Sequence, residues 1–456
     1  MKRREFLKSV AAVGAMHLLP ACFSPKGYAA NGKVRLAAIG IGCQAWYDIR
    51  ELTKNADICE LVALCDTDIG APHTLECLKK YPDLPRFQDF RKMFDAMADR
   101  IDAVLVGTPD HSHFAACMHA MRLGKHVYVE KPLANTFREC ELLMAAEKTY
   151  GVVCQMGNQG HSGANYWQFK DYWRKGVLKD VTKVVAHMNN ERRWHKWGGK
   201  VSGLPKAKPV PATLDWDSWL SVQQHHDYSP DYMVGEWRNW FDFGDGCMGD
   251  WGAHIIDCVH EFVLGSALPD EVRISNVTGW NRFVWPINNT VTFRFGKIDL
   301  EWWEGVQNQP RVPGNFLYKT NKGLFPASAA NDGMVEPKLV PGKEIYTKDG
   351  DWQGMSHSST LIRMGDTSGK VPEFYDPKID HWRNFLLAVK GEDETHSPFR
   401  IAGPLSQVFT LGCIAQRLNR SLKFDPAAKR FVGDDEANAL LKGPEPRKGW
   451  EEYFKV

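Results

Sequence analysis

An excess of charge of either sign is missing from this sequence: 57 Lys and Arg stand against 55 Asp and Glu in 456 residues, a formal net of +2. A chain so balanced makes no electrostatic case for nucleic acid as a partner. It also lacks a long hydrophobic run, since the apolar stretch from Val10 to Leu19 is too short for a permanent bilayer-spanning helix. None of the 11 cysteines forms a C-x-x-C pair, and most sit in apolar runs such as Leu61 to Cys65. Buried free thiols are therefore expected rather than a disulfide framework or a zinc site. His225-His226-Asp227 and Asp110-His111-x-His113 lack partners at ligand spacing, and no metal is expected.

What is present points first to size. At 456 residues the chain exceeds what one hydrophobic core usually serves, so two domains are expected. Tryptophan is abundant, with many of the 17 crowded between Trp167 and Trp303. An indole beside a cleft can stack on the apolar face of a sugar ring, while others serve the core with their N–H satisfied.

The amino terminus, Arg3-Arg4-Glu5-Phe6-Leu7-Lys8 followed by the short apolar run, resembles a twin-arginine export signal, and Leu19-Pro20-Ala21-Cys22 resembles a lipobox. The first resemblance implies a periplasmic or cell-envelope location, reached in the folded state. The second implies a membrane tether through a lipidated Cys22. Residues 1–32 are expected to be signal and linker.

Val34 to Ile39 is an apolar run ending at Gly40-Ile-Gly42-Cys-Gln-Ala45, a G-x-G-x-x-A pattern between a strand and a helical stretch. Gly40 would permit the tight turn, Gly42 would let the backbone approach a pyrophosphate, and Ala45 would keep the helix close to the sheet. A second apolar run ends in Asp66, 24 positions after Gly42, where a carboxylate can accept from ribose hydroxyls and favours NAD over NADP. Further runs at βαβ spacing end in Thr108-Pro109 with His113, in Glu130-Lys131-Pro132, and in Gly157-Asn158-Gln159-Gly160-His161. Strand and helix alternating in this way imply a parallel sheet with its ligands at the strands' carboxyl ends, and place Thr108, His113, Lys131 and Asn158 on one rim.

These motifs resemble the fingerprint of the Gfo/Idh/MocA oxidoreductases, with Glu130-Lys131-Pro132 the most specific element. The resemblance implies that Lys131 lies beside the nicotinamide and the reacting hydroxyl, that the substrate is a carbohydrate, and that the open sheet of a second domain forms a dimer or tetramer. Gly40, Gly42, Ala45, Asp66, Thr108, Pro109, His113, Glu130 and Lys131 are the expected cofactor residues. The expected fold is α/β: a Rossmann doubly wound parallel sheet over 33–156, then an α/β domain over 157–456 with an open, mostly antiparallel sheet. Ser275 to Thr278, Thr290 to Phe295 and Lys297 to Trp303 read as its strands, Val306 to Tyr375 as loops or insertion, and Ile379 to Lys390 with Pro404 to Arg420 as closing helices.

Asp250, His254 and Asp257 recur at helical spacing after a glycine-rich turn, so they should share one face. A carboxylate beside a histidine suits proton transfer near neutral pH, and the family carries D-x-x-x-H at the corresponding place, which implies catalytic roles for Asp250 and His254 with Lys131. Asn158, Gln159, His161, Arg193, Trp194, Trp237 and Arg238 are candidate substrate contacts, because Arg beside Trp offers a donor fork and a stacking face. Two activities are compatible with this set: oxidation of a sugar or polyol hydroxyl by tightly bound NAD, and glycoside cleavage through transient oxidation and elimination. A carbohydrate-binding lipoprotein without catalysis is disfavoured by the presence of Lys131, Asp250 and His254 together.

Overall fold

Val34–Ile39 alternates two apolar faces, and both are buried. Val34, Leu36 and Ala38 enter one cluster with Leu61, Leu105 and Tyr128, while Ala37 and Ile39 enter another with Val104, Val106 and Phe114. A strand covered on both sides belongs in a parallel sheet with helices above and below. The computed structural model describes residues 32–188, 197–233, 235–305, 317–320, 323–326, 341–355, 358–364, 366 and 371–456. The twin-arginine stretch, Cys22, Arg193 and Trp194 lie outside the described residues.

The first sheet comprises β1 (Val34–Ile39), β2 (Cys59–Cys65), β3 (Arg86–Phe87), β4 (Ala103–Val106), β5 (His126–Val129) and β6 (Cys154–Met156). Between these strands run α1 (Cys43–Thr53), α2 (Leu75–Lys80), α3 (Phe90–Met97), α4 (His113–Arg122) and α5 (Phe137–Tyr150). Every pairing is parallel and the order is β3-β2-β1-β4-β5-β6. The winding reverses between β1 and β4, which opens a crevice at their carboxyl ends.

After α6 (Ala164–Arg174) come β7 (Val181–Met188), α7 (Trp216–Leu220), α8 (Gly246–Ile255), β8 (Glu271–Thr278), β9 (Asn288–Phe295) and β10 (Ile298–Glu304). A two-stranded hairpin of β11 (Leu317–Thr320) and β12 (Gly323–Pro326) follows, then β13 (Gly342–Thr347), β14 (Trp352–Met355) and β15 (Ile362–Arg363). The chain closes through α9 (His381–Val389), α10 (Phe399–Leu418), β16 (Leu422–Asp425), β17 (Arg430–Phe431) and α11 (Asp435–Lys442). The second sheet runs β15-β14-β13-β7-β10-β9-β8-β16-β17, antiparallel except where β7 meets β10.

Two sequence expectations are corrected here. Val306 to Tyr375 is not a plain loop region, because β13, β14 and β15 extend the sheet. β13 pairs with β7, far earlier in the chain, and the short β14 and β15 add to it in turn, so no local periodicity announces them. The last long helix starts at Phe399, not at Pro404, which sits inside it. Proline suits a first helical turn, but here the missing N–H falls within α10.

α9 returns to the first sheet. Its Phe385, Leu386 and Val389 complete the cluster around Leu36 and Leu105. Trp382 Nε1 donates to Asp48 Oδ1 on α1 at 3.0 Å, and Arg383 reaches Asn55 at 2.9 Å and Asp57 at 2.9 Å.

Candidate active site

β1 runs directly into the glycine turn, and the geometry there admits only glycine. Gly40 has φ +87°, and a Cβ added to it would stand 2.6 Å from the Gly107 carbonyl oxygen. A Cβ on Gly42 would lie 2.3 Å from the His73 ring. Ala45 is fully buried against Gly107, where a Cβ would approach that of Ala45 to 2.5 Å, so α1 sits tight on the sheet. Asp66, at the end of β2, accepts the backbone N–H groups of Ile41 and Asp68, both at 3.0 Å. Burial pushes its carboxyl up, with those two donors pulling the other way. The resulting cradle, two bare glycine backbones leading into a helix with a carboxylate alongside, fits a dinucleotide.

A cleft of about 340 Å³ continues from this cradle. Thr108, Pro109, Glu130 and Lys131 line it from the first sheet, and Trp219, Trp237, Arg238 and Asp250 line it from beyond β7. α8 carries Asp250 into place because Gly246, at φ +56°, turns the chain where a Cβ would meet the Trp285 ring at 2.8 Å. Lys131 Nζ then lies 2.5 Å from Asp250 Oδ1. Arg238 stands next to the pair, with Nη1 on Asp110 at 3.1 Å and Nη2 3.7 Å from Asp250. The Trp237 ring centroid lies 4.3 Å from its Cζ. Burial alone would raise the Asp250 carboxyl, but Arg238 and Lys131 outweigh it and hold the group well below the usual carboxylate range.

The other expected site residues divide. His254 is half-buried one turn beyond Asp250, near enough for its charge to help depress that carboxyl, with its ring 6.1 Å from Trp251. It is not among the described residues lining the cleft. Asp257 leaves the expected stripe, since α8 stops at Ile255 and the carboxylate turns to Asn158 Nδ2 at 3.0 Å and His161 Nδ1 at 2.9 Å. Asn158 and His161 are fully buried and do not line the cleft, contrary to their expected role as substrate contacts. Burial would lower His161, yet Asp257 and Glu261, the latter 3.1 Å from Nε2, raise it to about 10. Gln159 donates to Glu130 Oε1 at 2.9 Å and so braces the motif glutamate. His113 is buried between the carbonyls of Pro132 at 2.8 Å and Thr108 at 2.9 Å, holding two rim segments together rather than facing the cleft.

Several groups escaped the sequence reading. Asp110, considered there only as a metal ligand, holds Arg238 and also accepts the Asp245 N–H at 3.0 Å, which fixes the start of α8. Asp48 is fully buried on α1, and burial first, then the charge of nearby Glu130, push its carboxyl far up. The aspartate's place one helical turn after Gln44 is no local signal for that contact. Among the described residues no group of three or more His, Cys, Asp or Glu is arranged to hold a metal ion.

Two family models match in succession. The Gfo/Idh/MocA model described as an oxidoreductase family NAD-binding Rossmann fold covers residues 34–158, and its companion C-terminal α/β domain covers 163–278 and 358–452. The chain belongs to the Gfo/Idh/MocA oxidoreductase family. Curated relatives include a glycosyl hydrolase family 109 protein of Shewanella putrefaciens, 28% identical over 217 residues, or 42% of this chain and 47% of the relative. Another, glycosyl hydrolase family 109 protein 1 of a Shewanella species, is 29% identical over 169 residues, 35% of this chain and 36% of the relative. The chain thus spans at most about half the length of these relatives. Among solved structures, the WlbA dehydrogenase of Bordetella pertussis in complex with NADH and UDP-GlcNAcA superposes with a TM-score of 0.60 at 15% identity, covering 86% of this chain and 99% of that one. Aldose-aldose oxidoreductase of Caulobacter crescentus, complexed with glycerol, gives 0.51 at 18% identity, covering 86% and 100%. At these identities the likeness of this Gfo/Idh/MocA chain to both is one of fold.

Proposed function

We propose that this Gfo/Idh/MocA protein oxidises a secondary hydroxyl of a sugar, glycoside or polyol, using NAD held tightly in the cleft, and that it works outside the cytoplasm. The observation that carries the reading is Lys131 Nζ at 2.5 Å from Asp250 Oδ1, on a cleft whose other end is the cradle of Gly42 and Asp66. When bound, the nicotinamide supplies the acceptor for the hydride leaving the alcohol carbon. Lys131, paired with Asp250, donates to the hydroxyl oxygen and stabilises the negative charge that grows there. Asp250 orients the Lys131 ammonium, and His254, one turn on but outside the cleft lining, takes the hydroxyl proton once its ring turns toward the cleft. Arg238 holds Asp250 ionised, and Trp237 supplies an apolar face for a sugar ring.

Asp66 supports NAD over NADP, since a second negative charge at the ribose would face a half-buried carboxylate. Arg3-Arg4 and the apolar run after them support export through the twin-arginine route, with Cys22 as a tether and the open second sheet as the surface of a homo-oligomer. Outside the cytoplasm no free dinucleotide pool exists to exchange with the site, so a reaction that returns the hydride in place is favoured over simple dehydrogenation.

That point, with the family 109 relatives, supports a second reading: oxidation at a ring carbon acidifies the neighbouring C–H, elimination expels the glycosidic oxygen, water adds, and the stored hydride restores the sugar. Denaturing the purified protein and identifying the released nucleotide by absorbance and mass tests the shared premise; protein that neither carries nor binds a dinucleotide overturns both readings. Nitrophenyl glycosides then divide them, with nitrophenol release without net NADH marking the redox-neutral route.

A further inference from the structure

The wall of the cleft nearest Asp66 is closed by a segment from outside the first sheet. Leu214 forms an isolated antiparallel bridge with Asp68, and Asp215 N donates to the Thr67 carbonyl at 2.8 Å. Gln88, on the cleft wall just after β3, spans the two chains: its Nε2 donates to the Thr67 carbonyl at 3.0 Å and to the Thr213 carbonyl at 2.7 Å. The segment is anchored beyond this contact too. Asp215 caps α7 through Ser218 N at 3.0 Å, Trp216 and Trp219 stack at 4.6 Å, and His111 Nε2 meets the Trp219 carbonyl at 2.8 Å. Burial pushes His111 down to about 4, so this brace stays neutral at working pH. Ser218 and Trp219 thereby face the same cleft as Gly40, Gly42 and Asp66.

We propose that Pro211 to Leu220 is a retaining strap across the adenosine end of the dinucleotide site and that Gln88 is its latch. The inference rests on the reading of the cleft as a dinucleotide site. A nucleotide held between the glycine turn and Asp66 leaves only when the strap parts from Thr67 and Asp68, and among the described residues the one side chain hydrogen-bonded to both edges is Gln88. The strap is a separate polypeptide stretch from the cradle, so retention and recognition are borne by different residues. Opening is a local event, needing rupture of a short bridge rather than of either sheet.

Release of NADH, followed by its fluorescence after chasing with excess NAD, tests the strap. Gln88→Ala removes two neutral hydrogen bonds and should speed release roughly tenfold or more. In Asp68→Cys/Leu214→Cys, bridge partners of this kind are within disulfide reach, and oxidation should slow release relative to the same protein reduced. Unchanged release in both Gln88→Ala and the oxidised double variant, with NADH still bound by the parent protein, overturns the strap and leaves the site reading standing. Failure of the parent and all variants to bind NADH in titration overturns the site reading, and the strap with it.

Discussion

Arg238 Nη1 stands 3.1 Å from each carboxylate oxygen of Asp110, a residue 128 positions earlier, and the same guanidinium faces Asp250. One arginine therefore ties the rim of the first sheet to the helix that carries Asp250. Replacing Arg238 by Met leaves the buried Asp110 carboxylate without its cation and Asp250 with Lys131 alone, and a loss of about 3–5 kcal/mol is expected in urea unfolding. Arg238→Lys should recover only part of this, because an ammonium cannot span both acids as the planar fork does.

Lys131→Ala should lower kcat about 10²–10⁴-fold, the range for a positioned proton-handling or oxyanion-stabilising group. Bound dinucleotide should remain, as judged by the absorbance of the denatured protein. Turnover near the parent's rate would remove Lys131 from the reaction.

His161 gives a signed pH dependence. Its folded value is raised from 6.5 to about 10, so its stabilisation is fully present below 6.5 and is lost as the pH rises toward 10. Urea midpoints of the parent protein should fall across that interval, and His161→Gln should flatten the fall. Equal slopes in the two proteins would contradict the buried Asp257–His161–Glu261 pairing.

Gly40→Ala places a methyl group at positive φ and against the Gly107 carbonyl. A cost of roughly 1–3 kcal/mol follows from the backbone conformation alone, and the contact adds to it. Thermal unfolding monitored by circular dichroism measures the loss. Nucleotide titration of the surviving folded fraction should show weakened binding.

Asp66→Ser removes the charge that the proposed function sets against the ribose. Affinity for NADPH relative to NADH should rise on calorimetric titration, because the repulsion of a 2′-phosphate disappears while a hydroxyl remains to bond. An unchanged ratio would assign the choice of nucleotide elsewhere.

The readable part of this molecule was the part in which neighbours in sequence are neighbours in space. Val34–Ile39, the glycine turn and Asp66 form one βαβ unit, and the steric needs of that turn are written in Gly40, Gly42 and Ala45. Lys131 and Asp250 could each be singled out, but their meeting depends on α8 being delivered from beyond β7. Asn158 and His161 follow a parallel strand and so resembled substrate contacts. Asp257 claims both of them, because the helix ends before it can continue the stripe of Asp250. Asp110 and Arg238, or Gln88 and Thr213, pair across long stretches of chain, and no periodicity encodes such contacts. β13 was hidden for the same reason, its partner β7 lying far back in the chain, and β14 and β15 are too short to carry much pattern of their own.

α9 has a consequence for how the chain is born. Phe385, Leu386 and Val389 cover one face of a sheet whose strands all lie before residue 157. During synthesis that face, with Leu36, Leu105 and Tyr128, stays without its final cover until nearly the whole polypeptide has left the ribosome. The nucleotide-binding half thus waits for a segment made more than two hundred residues after its last strand, and a nascent chain cut short before His381 would present a sticky apolar face to chaperones instead of a closed core.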